Sequence, residues 1–169
     1  MPIDSNTISL ILALIALVVA LMAFYKAATP KGPAATPTYE TTPLRLQAYE
    51  RLVLLTERIA LPQLINRLYQ PGYSALEMKQ VLIENIRQEF EYNATQQLYV
   101  SPIAWDAVKN LKEQEILQIN QLFNSLSPTE SASVLTRKLL EMEMEKKDGP
   151  LFELVTQTLN REAKKLMSN

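Results

Sequence analysis

The segment SALEMKQVLIENIRQEFEY, residues 74–92, carries the clearest helix pattern in this chain. Ser74 and Glu77 have the spacing of a capping box, in which each side chain accepts a hydrogen bond from the other residue's free backbone N–H group. Apolar residues then recur at the helical period, and they are Leu76, Met78, Val81, Leu82, Ile86 and Phe90. The segment therefore predicts an amphipathic helix that ends at about residue 92.

Two helices are predicted on the N-terminal side of this segment. The first covers about residues 44–60, and the second covers residues 63–69, with Pro62 at a position that a first helical turn tolerates. The dipeptide Pro71-Gly72 then predicts a turn. The residues expected on the buried side of the first helix are Tyr49, Leu52, Val53, Thr56 and either Ile59 or Ala60.

Three helices are predicted on the C-terminal side. Ser101 and Pro102 begin one of them. The stretch Ser127-Pro128-Thr129-Glu130 has the pattern of a second capping box and begins another, which ends at about Lys147. Asp148-Gly149-Pro150 separates that helix from the last one. The apolar residues expected inside are Val108, Leu111, Ile116, Ile119, Leu122, Phe123, Leu126, Val134, Leu135, Leu139, Met142, Leu151, Leu154, Val155, Leu159 and Leu166.

The sequence therefore predicts an all-α fold. No stretch shows the strand-like alternation of apolar and polar residues, and loops interrupt the apolar period too often for a long coiled coil. Residues 44–169 are expected to form a compact bundle of about five to six helices. Within it, residues 93–100, NATQQLYV, fit either a helix end or a loop.

An uncharged apolar segment precedes this bundle. Residues 5–25, SNTISLILALIALVVALMAFY, are long enough to cross a hydrocarbon core of about 30 Å as a helix. We therefore expect a single transmembrane helix at residues 8–25, preceded by a short extracytoplasmic tail at residues 1–7. Residues 26–43 contain four prolines, which predict an extended linker between the span and the bundle.

A cleaved signal peptide is the main alternative for residues 1–28. A signal peptide begins with a basic region, whereas this chain has Asp4 and no Lys or Arg before the apolar run. Cleavage after Ala28 would also place Lys26 at the third residue before the cut, where a small residue is favoured. The sequence thus favours an anchor.

The basic residues predict the orientation of the span. None precedes it, whereas Lys26 and Lys31 follow it closely and Arg45 and Arg51 come soon after. Cytoplasmic flanks of membrane spans carry an excess of Lys and Arg. We therefore expect the N-terminus outside and the C-terminal domain in the cytoplasm.

Small residues in the span follow one stripe, with gaps of four and three positions in alternation. They are Ser9, Ala13, Ala16, Ala20, Ala23 and Ala27. Small side chains let two helix backbones approach closely in a membrane. The stripe therefore predicts a helix-packing seam for a second copy or for another protein's span. The alternative is that alanine is common in spans and that the stripe has no packing role.

No pattern in the sequence predicts catalysis. The chain has no Cys and no His, which removes the thiol nucleophile, the usual general base and the commonest metal ligand. Its three glycines lie far apart, so no phosphate-binding loop is present. We therefore expect no catalytic, cofactor-binding or metal-binding residues, no cofactor and no small-molecule substrate.

Two groups of glutamates lack the histidines that a helical di-iron site requires. They are Glu84, Glu89 and Glu91, and Glu141, Glu143 and Glu145. In the second group, Glu141 and Glu145 are expected on one exposed face among Lys and Arg residues. We therefore expect no catalytic or metal role for these glutamates, and Glu141 and Glu145 are interpreted as charged helix surface.

The charge distribution argues against nucleic acid as a partner. Residues 26–73 carry six Lys or Arg against three Glu, a net charge of +3, and residues 74–169 carry eleven against fourteen acidic residues, a net charge of −3. Nucleic-acid binding needs a basic footprint, which the larger part lacks. The smaller, basic part suits contact with anionic lipid headgroups, but the favoured interpretation is that its Lys and Arg residues are positive-inside residues and solvated helix faces.

Three aromatic residues near the 93–101 connection form a candidate partner surface, and they are Tyr92, Tyr99 and Trp105. Tyr and Trp are frequent anchors in protein interfaces. They are also ordinary residues at the core boundary of small bundles, so packing is the favoured interpretation and partner contact is the alternative.

Two stretches, LRLQAYERLVLLTERIALPQLINRLYQPGYSALEM and EFEYNATQQLYVSPIAWDAVKNLKEQ, resemble a family of small proteins of unknown function from Bacteroidota. Those proteins have an N-terminal span, a Pro-rich stretch and a helical body, so the resemblance covers nearly the whole chain. It implies a bacterial envelope setting, most simply the inner membrane. It implies no activity and no functional residues.

These features predict a non-enzymatic, membrane-anchored helical interaction or scaffold protein, which acts as a subunit or tether of an inner-membrane complex. The expected partners are the lipid bilayer and, through the span, either another protein or a second copy. The alternative is a peripheral lipid-surface or membrane-organising protein that uses the basic membrane-proximal helices.

Overall fold

The computed structural model describes residues 16–22, 24–25, 41–146 and 149–168. The chain divides between Tyr39 and Glu40 into two units. In the first unit, the described residues are helical. Within the described ranges, no helix is both long and apolar enough to cross a membrane. The predicted tail, part of the predicted span and most of the predicted linker lie outside the described residues.

The described residues of the second unit contain six α-helices, one 3-10 turn and no strand, which confirms the predicted all-α fold class. The elements are α1 (Thr42–Ile59), α2 (Leu61–Leu68), α3 (Ala75–Tyr92), the 3-10 turn (Ala94–Leu98), α4 (Pro102–Phe123), α5 (Ala132–Met144) and α6 (Leu151–Met167). The connection that fitted either a helix end or a loop is thus mostly a 3-10 turn.

Two helices begin slightly earlier than predicted. α1 begins at Thr42, inside the predicted linker, because Pro43 occupies a first-turn position that does not need a backbone donor. α2 begins at Leu61 for the same reason, with Pro62 in its first turn. Ala60 alone separates the two helices, and its ψ angle of 130° breaks the helical path.

The capping box at the start of α3 is confirmed. Ser74 Oγ accepts a hydrogen bond from the Glu77 backbone N–H at 3.2 Å, and Glu77 Oε2 accepts one from the Ser74 backbone N–H at 2.8 Å. The bond from the Ser74 N–H, and a second one that the Ser74 hydroxyl donates to Glu77 Oε2 at 2.8 Å, lower the pKa of the Glu77 carboxyl, because both favour its charged form.

The second predicted capping box, Ser127 to Glu130, is wrong. α5 begins later, with Ser131 as its N-cap residue, and the Ser131 side chain makes no capping bond. The backbone of this stretch instead pairs with the start of α3. The Ala75 N–H donates to the Glu130 carbonyl at 2.6 Å, and the Ala132 N–H donates to the Tyr73 carbonyl at 2.8 Å. This two-bond antiparallel bridge holds the N-terminal ends of α3 and α5 side by side.

The core joins all six helices around fully buried aliphatic side chains. α1 packs most extensively on α6, and α4 contacts α1, α3, α5 and α6. The largest fully buried side chains are Tyr49, Leu52, Leu55, Ile59, Leu61, Leu64, Met78, Leu82, Ile86, Leu111, Ile119 and Leu135. Most of them were predicted from the apolar period.

Two predicted core residues are exposed instead, and both errors are errors of helix register. Leu76 is exposed because the buried stripe of α3 runs through Ala75 and Met78, about 100° around the helix from it. Leu154 is exposed because the buried stripe of α6 runs through Phe152 and Val155.

Candidate interaction surface

A groove of about 580 Å³ lies between α1 and α3. We call it the α1–α3 groove. Its α1 wall is formed by Arg51, Leu54, Leu55 and Arg58, and its α3 wall by Asn85, Gln88, Glu89 and Tyr92, with Asn93 at the end. Each wall has the spacing i, i+3, i+4 and i+7, which is one face of a helix over two turns. The two helices therefore present these faces to a common space.

One end of the groove is closed by a polar cluster. The Arg58 guanidinium forms an ion pair with the Glu89 carboxylate, which raises the pKa of Arg58. Arg67 donates a hydrogen bond to Asn85 Oδ1 at 2.8 Å, and its guanidinium lies 3.7 Å from the same Glu89 carboxylate. Glu89 thus holds the guanidinium groups of both Arg58 and Arg67 in place.

At the other end of the groove, an arginine is stacked on a tyrosine. The Arg51 guanidinium lies 5.8 Å from the centroid of the Tyr92 ring, within the range of a cation–π contact. Among the described residues, Arg51 forms no ion pair. Arg51 and Arg58 line the groove, and Arg67 lies at its closed end. Together with Glu89, these side chains have a net charge of +2.

The centre of the groove is apolar. Leu55 is fully buried beneath it, whereas Leu54 is 59 % exposed and Tyr92 is 74 % exposed. The adjoining segment after α3 carries two more exposed aliphatic side chains, Leu98 at 75 % and Ile103 at 70 %. Exposed apolar side chains concentrated in this way are typical of interaction sites.

The three aromatic residues predicted as a partner surface occupy different environments. Tyr92 lines the groove, and Tyr99 is exposed after the 3-10 turn. Trp105 is half-buried, and its ring packs on Phe90 at a centroid distance of 5.1 Å. Sequence reasoning missed Arg51 and Leu54, because the helical spacing of residues 51–58 does not show which side of α1 another helix covers.

A partly buried polar network joins α1, α4 and α6. Tyr49 on α1 donates a hydrogen bond to Glu162 Oε2 on α6 at 2.6 Å, and it accepts one from the Ser101 N–H at 3.1 Å. Ser101 Oγ also donates to Glu162 Oε2 at 2.5 Å, and it accepts the Ala104 N–H as the N-cap of α4. Burial and the bond to Glu162 raise the pKa of the Tyr49 hydroxyl.

Replacement of Tyr49 by phenylalanine is expected to lower the free energy of unfolding by about 1–3 kcal/mol, because the Glu162 carboxylate would lose a donor and the Ser101 N–H would lose its acceptor in a partly buried place. Denaturant unfolding of the full-length chain measures this. The matched control is Tyr99→Phe, which removes a hydroxyl from an exposed residue and should change stability by less than about 0.5 kcal/mol. Equal effects of the two substitutions would contradict the role of the network.

A second buried polar cluster contains two carboxyl groups. Glu115 on α4 is fully buried, and Glu143 on α5 is 4 % exposed. Lys146 forms an ion pair with Glu143 and donates a hydrogen bond to Gln118 at 3.3 Å. Among the described residues, the Glu115 carboxyl oxygens have no hydrogen-bond partner. Burial and the nearby Glu143 charge raise the pKa of Glu115 to about 8, against the opposing effect of Lys146.

Glu143 does not share the exposed face predicted for Glu141 and Glu145. Glu141 and Glu145 are exposed, whereas Glu143 turns inward on the same helix. Lys146 accompanies it because a buried carboxylate needs a counter-charge. The described residues contain no group of three or more His, Cys, Asp or Glu side chains that could hold a metal ion.

These elements define a helical bundle with one open, arginine-flanked groove. Residues 4–166 of the sequence match the Family of unknown function (DUF7935), so the chain belongs to this family. The match confirms the resemblance to a family without an established function. No curated protein and no solved structure matches the chain.

Proposed function

We propose that this protein is a non-enzymatic, membrane-anchored helical interaction protein, a subunit or tether of a complex at the inner membrane of a Bacteroidota bacterium. In this proposal residues 8–25 span the membrane once, the N-terminus lies outside and the bundle lies in the cytoplasm. The support is the uncharged apolar run and the Lys and Arg residues that follow it. The seam of small residues from Ser9 to Ala27 would pack against another span.

The observation that carries the proposal is the α1–α3 groove together with the exposed side chains that follow it. Tyr92 and the arginines belong to the residue types that most often dominate the binding energy of protein interfaces, and they surround an open apolar centre. Leu98 and Ile103, which follow the groove residues in sequence, are further exposed apolar side chains. A protein partner would bury side chains that water now surrounds.

The non-enzymatic part of the proposal is supported by the residue inventory. The chain has no His and no Cys to act as general base or thiol nucleophile. The buried carboxyls Glu115 and Glu143 do not line the groove. The carboxylate that does line the groove, Glu89, is held by Arg58 and Arg67.

A lipid surface is the second candidate partner, and one contact favours it. Arg45 in the first turns of α1 donates a hydrogen bond to the Tyr99 carbonyl at 3.4 Å, which places a basic residue beside the exposed segment that holds Leu98 and Ile103. Basic and apolar side chains together suit an anionic membrane surface. Flotation of residues 44–169 with liposomes tests this. Binding that rises with anionic lipid and disappears at high salt would favour lipid over protein.

The main test is recovery of partners with the full-length protein in mild detergent, followed by mass spectrometry. The double variant Leu54→Ala and Tyr92→Ala should reduce the recovery of partners about tenfold, since interface anchors of this type often contribute more than 1 kcal/mol each. The matched control is Tyr69→Ala, an exposed tyrosine outside the groove. Equal recovery with both variants would contradict the assignment of the groove.

A reporter fused after Asn169 tests the membrane part of the proposal independently. It should report a cytoplasmic location, because Lys26 and Lys31 favour that side. A periplasmic signal would contradict the orientation and support the signal-peptide alternative.

A further inference from the structure

We propose that one end of the bundle rests on the headgroups of an anionic phospholipid bilayer. We call it the basic end, and it consists of residues 42–48 at the start of α1, residues 94–103 around the 3-10 turn and residues 163–168 at the end of α6. This contact rests on the proposed function, because the membrane anchor holds the bundle near the lipid. It uses none of the residues that line the α1–α3 groove.

α1 and α6 lie antiparallel, so the start of α1 is beside the end of α6. Tyr49 on α1 donates a hydrogen bond to Glu162 on α6, and the hydroxyl oxygens of Thr56 and Thr156 lie 3.0 Å apart. The paired positions thus rise in number along α1 and fall along α6. Beyond the pair of Tyr49 and Glu162, each helix continues for about one to two turns toward the same end of the bundle.

The connection between α3 and α4 reaches this end as well. Ser101 bonds to both Tyr49 and Glu162. Arg45 donates a hydrogen bond to the Tyr99 carbonyl at 3.4 Å. These contacts place the residues before α4 beside the start of α1, so three segments that are distant in sequence form one surface.

The basic end has basic side chains and no acidic one. Residues 42–48 contain Arg45, and residues 163–168 contain Lys164 and Lys165. Residues 94–103 contain no Asp, Glu, Lys or Arg. The side chains of the basic end therefore have a net charge of +3. Both lysines are exposed, and Arg45 is half-buried.

The adjoining turns of the four helices contain the nearest acidic side chains, which are Glu50, Glu89, Glu91, Asp106 and Glu162. The same turns contain Arg51 and Arg161. Glu89 also pairs with Arg58 and Arg67. With these four arginines and the three basic residues of the basic end, the region has seven basic and five acidic side chains, a net charge of +2. The positive charge of the basic end is therefore reduced by its surroundings but not cancelled.

Exposed apolar side chains accompany the basic ones. Leu44 in the first turn of α1 is 51 % exposed, and Met167 at the end of α6 is 64 % exposed. Leu98, Tyr99 and Ile103 add the exposed side chains of the connection. Apolar side chains that enter the headgroup region, with basic ones that attract anionic lipid, are typical of surfaces that lie on a membrane.

The kind of basic residue favours lipid over a protein partner. Lysine is depleted in protein interfaces, whereas it is frequent beside anionic membrane surfaces. Lys164 and Lys165 are the outermost charges of α6 and have no ion-pair partner among the described residues. Tyr99 fits the same interpretation, because tyrosine is enriched at membrane–water interfaces.

The linker enters the bundle at the basic end, because α1 begins directly after it. Residues 26–41 reach about 50 Å if they are fully extended. A tether of this length raises the effective concentration of the bundle at the membrane that anchors the chain. A surface contact that would be weak for a free protein is then occupied.

The absence of cysteine allows a direct test in the full-length chain. Ile103→Cys places one thiol at the basic end, and Leu154→Cys, an exposed leucine near the start of α6, places one toward the opposite end as the matched control. Each variant is labelled with an NBD fluorophore and reconstituted in nanodiscs that contain nitroxide-labelled lipid. In nanodiscs of phosphatidylcholine and phosphatidylglycerol, the label at residue 103 should be quenched several-fold more strongly than the label at residue 154. The difference should fall in phosphatidylcholine alone and at high salt.

Charge substitutions test the lysines of the basic end. Lys164→Glu with Lys165→Glu should reduce the quenching at residue 103 several-fold, because each basic residue near an anionic surface strengthens binding about fivefold. Lys164→Arg with Lys165→Arg should preserve it. The matched control is Arg137→Glu with Lys138→Glu, two adjacent basic residues of α5, which should have little effect. Thermal unfolding of each variant checks the fold, and the salt dependence of the Ile103→Cys chain tests the charge contact without a charge substitution.

The outcomes separate this contact from the proposed function. Equal quenching at residues 103 and 154, or quenching at residue 103 that does not depend on anionic lipid, overturns the docking of the basic end. Recovery of a protein that is lost with Leu98→Asp and Ile103→Asp, without quenching by nitroxide lipid, assigns this end to a protein and also overturns the docking. Partner recovery that depends on Leu54 and Tyr92 still supports the interaction function in either case. Failure of the full-length chain to remain in nanodiscs contradicts the anchor itself, and the docking with it.

Discussion

Replacement of Leu111 by alanine is expected to lower the free energy of unfolding by about 2–5 kcal/mol. Leu111 lies on the inner face of α4 and is fully buried, as is Ile119 two turns later. Deleting most of either side chain removes its transfer free energy and leaves a cavity that a packed bundle closes only in part. Ile119→Ala should therefore give an effect of the same size.

Denaturant unfolding of the full-length chain, followed by circular dichroism, measures both changes. The control is Leu117→Ala on the same helix, because Leu117 is exposed and alanine is at least as good a helix former. We expect this control to change stability by less than about 0.5 kcal/mol. An equal loss for Leu117 and Leu111 would show that α4 is not packed as the structure describes.

Helix starts were predicted correctly where the signal is local and wrongly where a distant segment competes. The capping box of Ser74 and Glu77 is made within four residues, so the sequence contains all of it. The stretch from Ser127 to Glu130 has the same pattern, but its carbonyl groups accept hydrogen bonds from the start of α3. The hydrogen bond between residues 75 and 130 cannot be predicted from the sequence around either residue.

The apolar period predicted well which segments form buried helices. It predicted less well how each helix is rotated about its own axis. Leu76 and Leu154 fit an apolar stripe in the sequence, yet the buried stripes pass through Ala75 and Phe152 beside them. Rotation depends on which neighbour a helix meets, and that is a property of the assembled bundle. The α1–α3 groove was missed for the same reason, since it exists only where α3 leaves part of α1 uncovered.

The buried carboxyls were the least predictable feature. Glutamate on a helix is exposed in most proteins, and neither Glu115 nor Glu143 stands out from its neighbours in sequence. Their burial follows from the packing of α4 against α5, which brings the two side chains near each other and near Lys146. Packing thus buries ionisable side chains at positions that the sequence alone does not reveal.

The free energy of unfolding is expected to fall as the pH rises from about 5 to about 8, because Glu115 ionises over this range. Its pKa is about 8 in the folded chain against a reference of 4.5, so the folded state holds the proton more strongly than the unfolded state does. A raised carboxyl pKa contributes stability that is complete below the reference value and is lost as the pH rises through the folded value. The difference of 8 minus 4.5, about 3.5 pH units, sets an upper bound of about 5 kcal/mol on the loss.

The variant Glu115→Gln isolates this effect, because glutamine keeps the size of the side chain and cannot ionise. Near pH 5 the variant and the wild type should have similar stability, since both side chains are then neutral in the folded state. Near pH 9 the variant should be the more stable by a few kcal/mol, because the wild type must bury an unpartnered negative charge. Denaturant unfolding of both proteins at a series of pH values measures the difference.

The matched control is Glu113→Gln, two residues earlier on α4. Glu113 is exposed and bonds to Lys112 at 2.8 Å, which lowers the pKa of its carboxyl. Its replacement should cost a little stability at neutral pH and produce no gain at high pH, which is the opposite sign. Glu143→Gln should shift the pH dependence of Glu115 to lower pH, because it removes the nearby negative charge and leaves Lys146. A stability difference between wild type and Glu115→Gln that stays constant from pH 5 to pH 9 would contradict the buried, partnerless state of Glu115.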